Sequence, residues 1–259
     1  MRSDVPSGLK FGTSCKVTDE EIFVISRKIG HIWVGPHPAP DEWMDTWRQM
    51  HPDWSYTLYD NDFLLSRQFR NQPLVNEYVR RGKWAGVSDL IRYEILYEQG
   101  GFLPEADSIC LTPVDELFQD DLVYTVYEFP NGATGMMSPF LAAPAGAPLL
   151  DRIITELGKR LPEELTSPWH STGNGFLRRY FAANRKDNSE IRIFPSHLFI
   201  PEHYKGHKYT GPDKIYARQM WGSTTRSYPY REGFDKEIKA EADRKTRELY
   251  EALVARDAG

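Results

Sequence analysis

The stretch that organises this chain is GVSDLIRYEILYEQGGFLPEAD, residues 86–107. Apolar side chains recur at four-residue intervals from Val87 to Ile95, which is the period of an α-helix with one buried face. The sequence therefore predicts a mostly buried helix over residues 87–98. Gly100 and Gly101 predict its end, because glycine fits the left-handed conformation found just past a helix.

The segment after the glycines, residues 102–111, is predicted to be an extended strand that carries Glu105 and Asp107. Two carboxylates separated by one residue in an extended chain point to the same side. Ligation by oxygen alone suits Mg²⁺ or Mn²⁺, which keep several waters and share phosphate oxygens with a substrate. A solvated acidic loop is the alternative, but ligands of open α/β sheets bind just beyond the carboxyl ends of strands.

Asp89 and Arg92 form a polar pair within the predicted helix. They are three residues apart, so they share a face and can pair with each other. Their neighbours are apolar, and charged groups in buried surroundings are held for a function or tightly paired. A simple salt bridge at the surface is the other interpretation, and the sequence leaves both open.

Strands and helices alternate in the rest of the chain. The predicted strands and extended segments are residues 28–35, 54–59, 122–129, 140–143 and 191–200. The predicted helices are residues 41–50, capped by Asp41, and residues 147–160, 173–183 and 234–256, the last a charged C-terminal helix. This order predicts an α/β fold in one domain over residues 1–259, with residues 1–20 irregular and a largely parallel central sheet flanked by helices.

The composition limits the class of protein. The chain has 259 residues, 40% of them apolar, and 32 Lys and Arg against 37 Asp and Glu, a formal charge of −5. It is too apolar for a disordered chain, and the acidic balance argues against nucleic acid as a partner. Two cysteines exclude a disulfide scaffold. No stretch approaches the roughly 20 apolar residues of a membrane span, and no apolar leader follows Met1, so we expect a cytoplasmic protein without a membrane span.

Three other groups are candidates for ligand binding. Trp33 lies near the end of a predicted strand and could stack on a flat ligand, a contact worth roughly 1–3 kcal/mol for a nucleic-acid base, or it could pack in the core. Residues 171–175, STGNG, offer backbone N–H groups at the start of a helix, either as an anion cradle or as a plain turn and cap. His203 and His207 have the spacing of a helical metal pair, but the prolines and glycines around them predict a loop without a metal.

Together these residues resemble glycosyltransferase family 32, whose members carry a DXD sugar-binding region and are distantly related to the clostridial glucosylating toxins. The resemblance covers residues 28–120 and continues more weakly through residues 172–175 and 216–224. It is carried by Ile32-Trp33-Val34-Gly35, by Trp47 with His51-Pro52, by Tyr56 to Asp60, and by Ser88 to Tyr97 with Gly100-Gly101 and the acid-x-acid motif.

The resemblance implies a GT-A fold and transfer of a sugar, with retention of its anomeric configuration, from a UDP- or GDP-sugar to a hydroxyl of a glycan or another acceptor. Trp33 would contact the base, and Asp89 and Arg92 would hold ribose and sugar hydroxyls. The resemblance also implies further substrate-binding positions at Ile32, Ser88 and Glu105; catalytic roles for Asp89, Arg92 and Asp107; and a divalent cation, Mn²⁺ or Mg²⁺, bound by Asp107, Glu105 and Gln219.

Three positions depart from the pattern of that family. Leu103 stands where relatives often carry Tyr, and the other two departures bear on the metal. Glu105 stands where the family has Asp, and Gln219 stands where it has a His that would bind the metal. We therefore expect Asp107 to make the main metal contact. The departures leave two alternatives open, a non-catalytic sugar-nucleotide-binding protein and a hydrolase of nucleotide sugars. Residues 130–146 and 201–233 are the candidate acceptor-binding segments, because such sites are built from loops.

Overall fold

The computed structural model describes residues 25–129, 137, 141–225, 227–228 and 236–258. The predicted irregular segment, residues 1–20, lies outside the described residues. Parts of the two candidate acceptor segments, residues 130–146 and 201–233, also lie outside them, as does the start of the predicted C-terminal helix. Among the described residues, no helix is both long and apolar enough to cross a lipid bilayer.

The chain alternates strands with helices over most of its described length. The strands are β1 (Lys28–Ile32), β2 (Ser55–Tyr59), β3 (Gly101–Leu103), β4 (Ser108–Cys110), β5 (Val123–Val126), β6 (Leu141–Ala143), β7 (Ile191–Phe194) and β8 (Ala217–Gln219). The helices are α1 (Asp41–Met50), α2 (Asn61–Leu65), α3 (Gln72–Arg80), α4 (Trp84–Gln99), α5 (Pro148–Leu157), α6 (Pro168–Ser171), α7 (Asn174–Ala183), α8 (Gly222–Thr225) and α9 (Lys236–Asp257).

Six of the described strands form one sheet in the order β2-β1-β3-β6-β5-β7. β1 pairs in parallel with β2 and β3, and β5 pairs in parallel with β7. β6 runs antiparallel to both of its neighbours, β3 and β5. The other five strands therefore point in one direction, and their carboxyl ends lie at one edge of the sheet. The predicted α/β class with a largely parallel sheet is confirmed.

The two faces of the sheet are covered by separate hydrophobic clusters, because successive side chains of a strand point to opposite faces. Ile32 and Leu103 lie in the larger cluster, together with buried residues of α3, α4, α5 and α7. Ile29 and Phe102 lie in the second cluster, which includes Trp47 of α1. The sheet is thus buried on both sides, as expected for parallel strands.

The glycines that follow α4 take the conformations expected of them. Gly100 has φ 63° and Gly101 has φ 99°, backbone angles that side-chain-bearing residues rarely adopt. A Cβ atom on Gly101 would also lie 2.6 Å from the carbonyl oxygen of Lys28. The pair therefore ends the helix and lets β3 lie directly against β1.

Three local predictions were wrong. Residues 191–200 are not extended throughout, since β7 ends at Phe194 and Ser196–Leu198 form a short 3₁₀ helix. Asp41 is not the cap of α1, since Pro40 precedes the helix and Asp41 lies in its first turn. The predicted continuous strand over residues 102–111 is two strands in different sheets. β3 belongs to the large sheet, whereas β4 pairs with β8 in a separate antiparallel pair. Pro104, which has no N–H to donate, lies at the start of the crossing between them.

Candidate functional site

Trp33 and Glu105 leave the sheet at the same edge. β1 and β3 are parallel neighbours, with Ile29 paired to Phe102. Trp33 lies four residues beyond Ile29, and Glu105 lies three residues beyond Phe102. The carboxyl ends of parallel strands are where open α/β sheets bind ligands, so this edge is the candidate site.

The crossing from β3 to β4 is a tight turn that fixes the acid-x-acid motif. The backbone N–H of Ser108 donates to the carbonyl oxygen of Glu105 at 3.1 Å, and its hydroxyl donates to the same oxygen at 2.7 Å. Ser108 is also paired with Gln219 in the β4–β8 ladder. The turn thus places Gln219, more than one hundred residues later in the chain, beside the motif.

Asp107 is held on both of its carboxylate oxygens. Gln219 Nε2 donates to Oδ1 at 2.7 Å, and the backbone N–H of Gly222 donates to Oδ2 at 2.8 Å. Burial, and then the nearby charge of Glu105, raise the pKa of Asp107 to about 6 against the opposing effect of the two hydrogen bonds. Asp107 is therefore a rigidly oriented carboxylate whose negative charge is poorly solvated.

Arg92 pairs with Glu105 rather than with Asp89. The guanidinium is 4% exposed and the Glu105 side chain 23% exposed, and Nη2 of Arg92 contacts Oε1 of Glu105. Nε and Nη1 of Arg92 are buried and have no hydrogen-bond partner among the described residues. Helix spacing correctly put Asp89 and Arg92 on one face, but the carboxylate that neutralises the arginine comes from the motif.

Asp89 is bonded to the STGNG segment. Thr172 Oγ1 donates to Oδ2 of Asp89 at 2.9 Å, and a Cβ atom on Gly173 would lie 2.9 Å from the same oxygen. A side chain at position 173 would therefore crowd this carboxylate and displace it. Burial raises the pKa of Asp89 to about 7, against the effects of Arg92 and of the Thr172 hydrogen bond.

Trp33 is joined to the motif through Tyr228. The Trp33 ring meets the ring of Tyr228 edge-on, with centroids 5.3 Å apart, and its Nε1 donates to the carbonyl oxygen of His37 at 2.8 Å. Tyr228 in turn fills the space where a Cβ atom on Gly222 would lie, and Gly222 donates to Asp107. One chain of contacts thus connects the aromatic residue to the carboxylate.

Two further residues predicted to bind substrate, Ser88 and Ile32, lie in surroundings that differ from each other. Ser88 is half-buried and directly precedes Asp89 on α4. The side chain of Ile32 is 6% exposed and lies in the larger hydrophobic cluster, so a binding role at Ile32 would fall to its backbone.

His31 is a buried residue near Arg92 that the sequence reasoning missed. Its Nδ1 lies 3.0 Å from the hydroxyl of Tyr56. Burial, and then the charges of Arg92 and Arg48, lower the pKa of His31 to about 3, so the imidazole is neutral. In the sequence His31 lies between Gly30 and Ile32 of β1, so it was read only as part of a strand.

The donor set fits a divalent cation that takes most of its ligands from substrate and water. No group of three His, Cys, Asp or Glu side chains within the described ranges is placed to hold a metal. Glu105 is neutralised by Arg92, which leaves Asp107 as the available carboxylate. Oε1 of Gln219 is buried without a hydrogen-bond partner. An all-oxygen set of this kind suits Mg²⁺ or Mn²⁺ shared with a diphosphate.

Asp89 is expected to make the stability of the protein depend on pH. Burial raises its pKa from 3.8 to about 7, so the unfolded chain ionises first and native stability falls as pH rises from about 4 to about 7. Asp89→Asn removes this titration, and its melting temperature should fall less steeply over that range than that of the wild type. Thermal unfolding at about pH 4 to about pH 8 without ligand measures both slopes. Equal slopes would contradict the burial of this carboxylate.

A family model matches the segment of the chain that carries the acidic motif. Residues 40–124, which include Asp89, Arg92, Glu105 and Asp107, match the model of a family described as the glycosyltransferase sugar-binding region containing a DXD motif. No curated protein matches the sequence significantly. The match supports a glycosyltransferase, and membership of family 32 in particular stays a prediction.

Two solved structures are similar to the chain. The PaToxG glycosyltransferase has 11% identity and a TM-score of 0.52, with 88% of this chain and 87% of that chain covered. The ligand-free glycosyltransferase domain of the YGT toxin has 10% identity and a TM-score of 0.43, with 65% and 79% covered. The chain has a GT-A-type fold, and the segment that bears its acidic motif matches the sugar-binding region of glycosyltransferases.

Proposed function

We propose that the protein is a retaining glycosyltransferase that moves a hexosyl group from a UDP- or GDP-sugar to a hydroxyl acceptor with the help of a divalent cation. The observation that carries the proposal is the set of buried polar atoms without partners at the sheet edge. Nε and Nη1 of Arg92 and Oε1 of Gln219 are such atoms within the described part of the chain. A buried group left unpaired costs about 1–3 kcal/mol, so hydroxyl or phosphate oxygens of a ligand, or water beside it, are the expected partners.

The charges of the site favour a donor that arrives with a cation. Arg92 and Glu105 neutralise each other, which leaves the carboxylate of Asp107 as the main uncompensated charge. A diphosphate placed against that carboxylate would be repelled. A bound Mg²⁺ or Mn²⁺ would bridge the two and neutralise charge on the departing diphosphate. Asp107, Glu105 and Gln219 are the residues that would hold the cation.

The other residues bind and orient the donor. Trp33 presents a half-buried ring at the same sheet edge, where a base could stack. Asp89 contacts the STGNG segment and Arg92 contacts the motif, so both could hydrogen-bond to ribose or sugar hydroxyls of a donor bound beside them. Retention of configuration rests on the family resemblance. The single-domain organisation and the cytoplasmic location expected from the sequence belong to the same proposal.

One assay tests the proposal against its alternatives. The purified protein is incubated with UDP-glucose, UDP-N-acetylglucosamine or GDP-mannose and Mn²⁺, and free nucleotide is followed with and without methyl glycosides as acceptors. Release that requires an acceptor supports transfer, and the anomeric configuration of the product, read by NMR, tests retention. Release without an acceptor would support a hydrolase instead. Absence of both nucleotide binding and release would overturn the proposal.

A non-catalytic sugar-nucleotide-binding protein is the second candidate. It is favoured by the engagement of Glu105 with Arg92 and by the amide of Gln219, a neutral ligand, at the expected metal position. Such a protein would bind UDP or GDP in the same assay and release nothing from the nucleotide sugars.

Trp33→Ala is expected to weaken binding of UDP or GDP by one to two orders of magnitude, since stacking on a base contributes roughly 1–3 kcal/mol. Isothermal titration calorimetry with Mn²⁺ present measures the change. Trp43→Ala is the matched control, because Trp43 packs against the ring of Tyr228, 5.6 Å between centroids. Unchanged affinity in the Trp33 variant would assign that ring to packing alone.

A further inference from the structure

An exposed tryptophan lies beside the segment that contacts Asp89. Trp169 of α6 is 48% exposed. A Cβ atom on Gly175 would lie 2.8 Å from Cζ3 of the Trp169 ring, and a Cβ atom on Gly173 would lie 2.9 Å from Oδ2 of Asp89. The two glycines are two residues apart, so their Cα atoms are separated by at most about 7.6 Å. The ring of Trp169 therefore flanks the candidate donor site, with part of its surface open to solvent.

Three arginines place positive charge on the same surface. Arg178 and Arg179 are exposed on α7. They follow Gly175 by three and four residues, so they lie on the helix face that Trp169 partly covers. Partial burial, and then the nearby charge of Arg160, lower the pKa of Arg179. The three guanidinium groups thus lie near the tryptophan and near one another.

The chain does not neutralise this positive charge. Among the described residues, no carboxylate lies within ion-pair distance of any of the three arginines, and nearby Asp187 pairs with Arg152 instead. Between Glu164 and Asp187 the sequence contains no Asp or Glu, whereas it contains Arg178, Arg179, Arg185 and Lys186. A cationic patch on a chain with a net charge of −5 attracts an anionic partner to this one surface.

Arg179 also fixes the orientation of the tryptophan. Its Nη2 donates to the carbonyl oxygen of His170, and its Nη1 lies 3.3 Å from Nδ1 of the same residue. Because His170 directly follows Trp169, these contacts hold α6 against α7. Arg178, in contrast, has no hydrogen bond or ion pair within the described part of the chain, so its guanidinium is available to a ligand. A fixed ring beside an available cation is a preorganised binding surface.

The shape of this patch fits a sugar chain better than a protein. We call it the α7 surface and define it as Arg160, Trp169, His170, Arg178 and Arg179. A stable protein interface buries about 800 Å² on each partner around an apolar core, whereas the α7 surface offers a single aromatic ring among cationic and polar groups. Such a ring can stack on the apolar face of a pyranose, and guanidinium groups pair with carboxylates.

We infer that the α7 surface binds an acidic glycan, one whose sugars carry carboxylates, and holds it as the acceptor, an inference that rests on the proposed function. Trp169 stacks on one sugar ring, and Arg178 and Arg179 pair with carboxylates of neighbouring sugars. The end of the glycan that reaches Gly173 presents its hydroxyl beside the donor. This surface lies outside residues 130–146 and 201–233, the segments that the sequence predicted for acceptor binding.

Binding of tetragalacturonic acid in the absence of nucleotide tests the surface directly. Isothermal titration calorimetry compares the acid with its methyl ester, which keeps the sugar rings and removes the charges. Because exposed ion pairs contribute about two- to fivefold each, the wild type should bind the acid about tenfold more tightly than the ester. Added salt should weaken binding of the acid and leave binding of the ester unchanged.

Arg178→Gln should weaken binding of the acid by about two- to fivefold and leave binding of the ester unchanged. Arg247→Gln is the matched control, because Arg247 is also an exposed helical arginine without an ion pair among the described residues, and it should bind the acid as the wild type does. Trp169→Ala should weaken binding of both probes by about tenfold, since the apolar contact with the sugar ring is lost. If Trp169→Ala melts well below wild type, Arg178→Gln carries the test alone.

A capped tetraglutamate peptide separates a glycan from any other acidic chain. It carries the same number of carboxylates as tetragalacturonic acid but has no sugar ring, so the wild type should bind it about tenfold more weakly than the acid. Equal binding of the peptide and the acid would overturn the assignment to a glycan.

The outcomes separate this inference from the proposed function. Equal affinity of the wild type for the acid and its ester, or unchanged binding of the acid by R178Q, overturns the role of the α7 surface and leaves sugar transfer untouched. If the acid binds as expected but the wild type releases no nucleotide to methyl glycosides or to tetragalacturonic acid, the proposed transfer is overturned, and the acceptor role of the surface with it.

Discussion

Asp107→Asn is expected to lower turnover by about 10³-fold or more while leaving the protein folded. The substitution keeps the shape of the side chain but removes the charge of the motif carboxylate that Arg92 does not neutralise. A cation loses its main protein ligand, and stabilisation of the departing diphosphate falls by several kcal/mol, each ~1.4 kcal/mol being tenfold in rate. Asparagine is a sharper choice than alanine, because its one oxygen can still accept from the N–H of Gly222, whereas alanine would leave both that N–H and the amide of Gln219 without an acceptor.

Measuring the thermal stability of Asp107→Asn separates a loss of catalysis from a loss of folded protein. Burial raises the pKa of Asp107 to about 6, so near neutral pH the protein holds a poorly solvated charge there. Replacing it with a neutral amide should keep or raise the melting temperature. The matched control is Asp121→Asn, which removes an exposed carboxylate. Both variants are compared in nucleotide release, in binding of UDP as Mn²⁺ is titrated, and in thermal unfolding. Turnover within tenfold of wild type in Asp107→Asn would overturn the assignment of Asp107.

The parts of the fold that the sequence predicted are those set by local physics. The four-residue spacing of apolar residues predicts α4 without knowledge of what the helix packs against. The two glycines that follow the helix adopt positive φ, a conformation that residues with side chains rarely take. The start and end of α1 also matched the prediction, because they too depend on the local sequence. α3 was missed although Leu74, Val75, Tyr78 and Val79 give it a buried face, because the stripe is only nine residues long.

The parts that the sequence reasoning missed depend on contacts between distant segments. The strand after α4 was read as continuous because nothing near Pro104 indicates that β4 pairs with a strand more than one hundred residues away. Asp89 and Arg92 were correctly placed on one face, but the choice of Glu105 as the partner of Arg92 is made by tertiary structure.

Arg92 is expected to serve both stability and binding, and a pair of variants can separate the two. Arg92→Met leaves Glu105, 23% exposed, without its cation. Breaking a fully buried ion pair costs 3–5 kcal/mol, and partial exposure reduces this to about 2–3 kcal/mol. For a chain of this size the melting temperature should fall by about 4–12 °C, and turnover should fall by about 10³-fold as the contacts to the donor are lost.

The double variant Arg92→Met with Glu105→Gln removes both charges of the pair. Replacing an ion pair by neutral groups of similar size is often neutral for stability, so most of the lost melting temperature should return. Turnover should not return, because the unpartnered Nε and Nη1 donors of Arg92 are the groups assigned to the substrate. Thermal unfolding and nucleotide release on the wild type and both variants measure the two effects. If turnover recovers together with stability, Arg92 supports the fold and does not bind the donor.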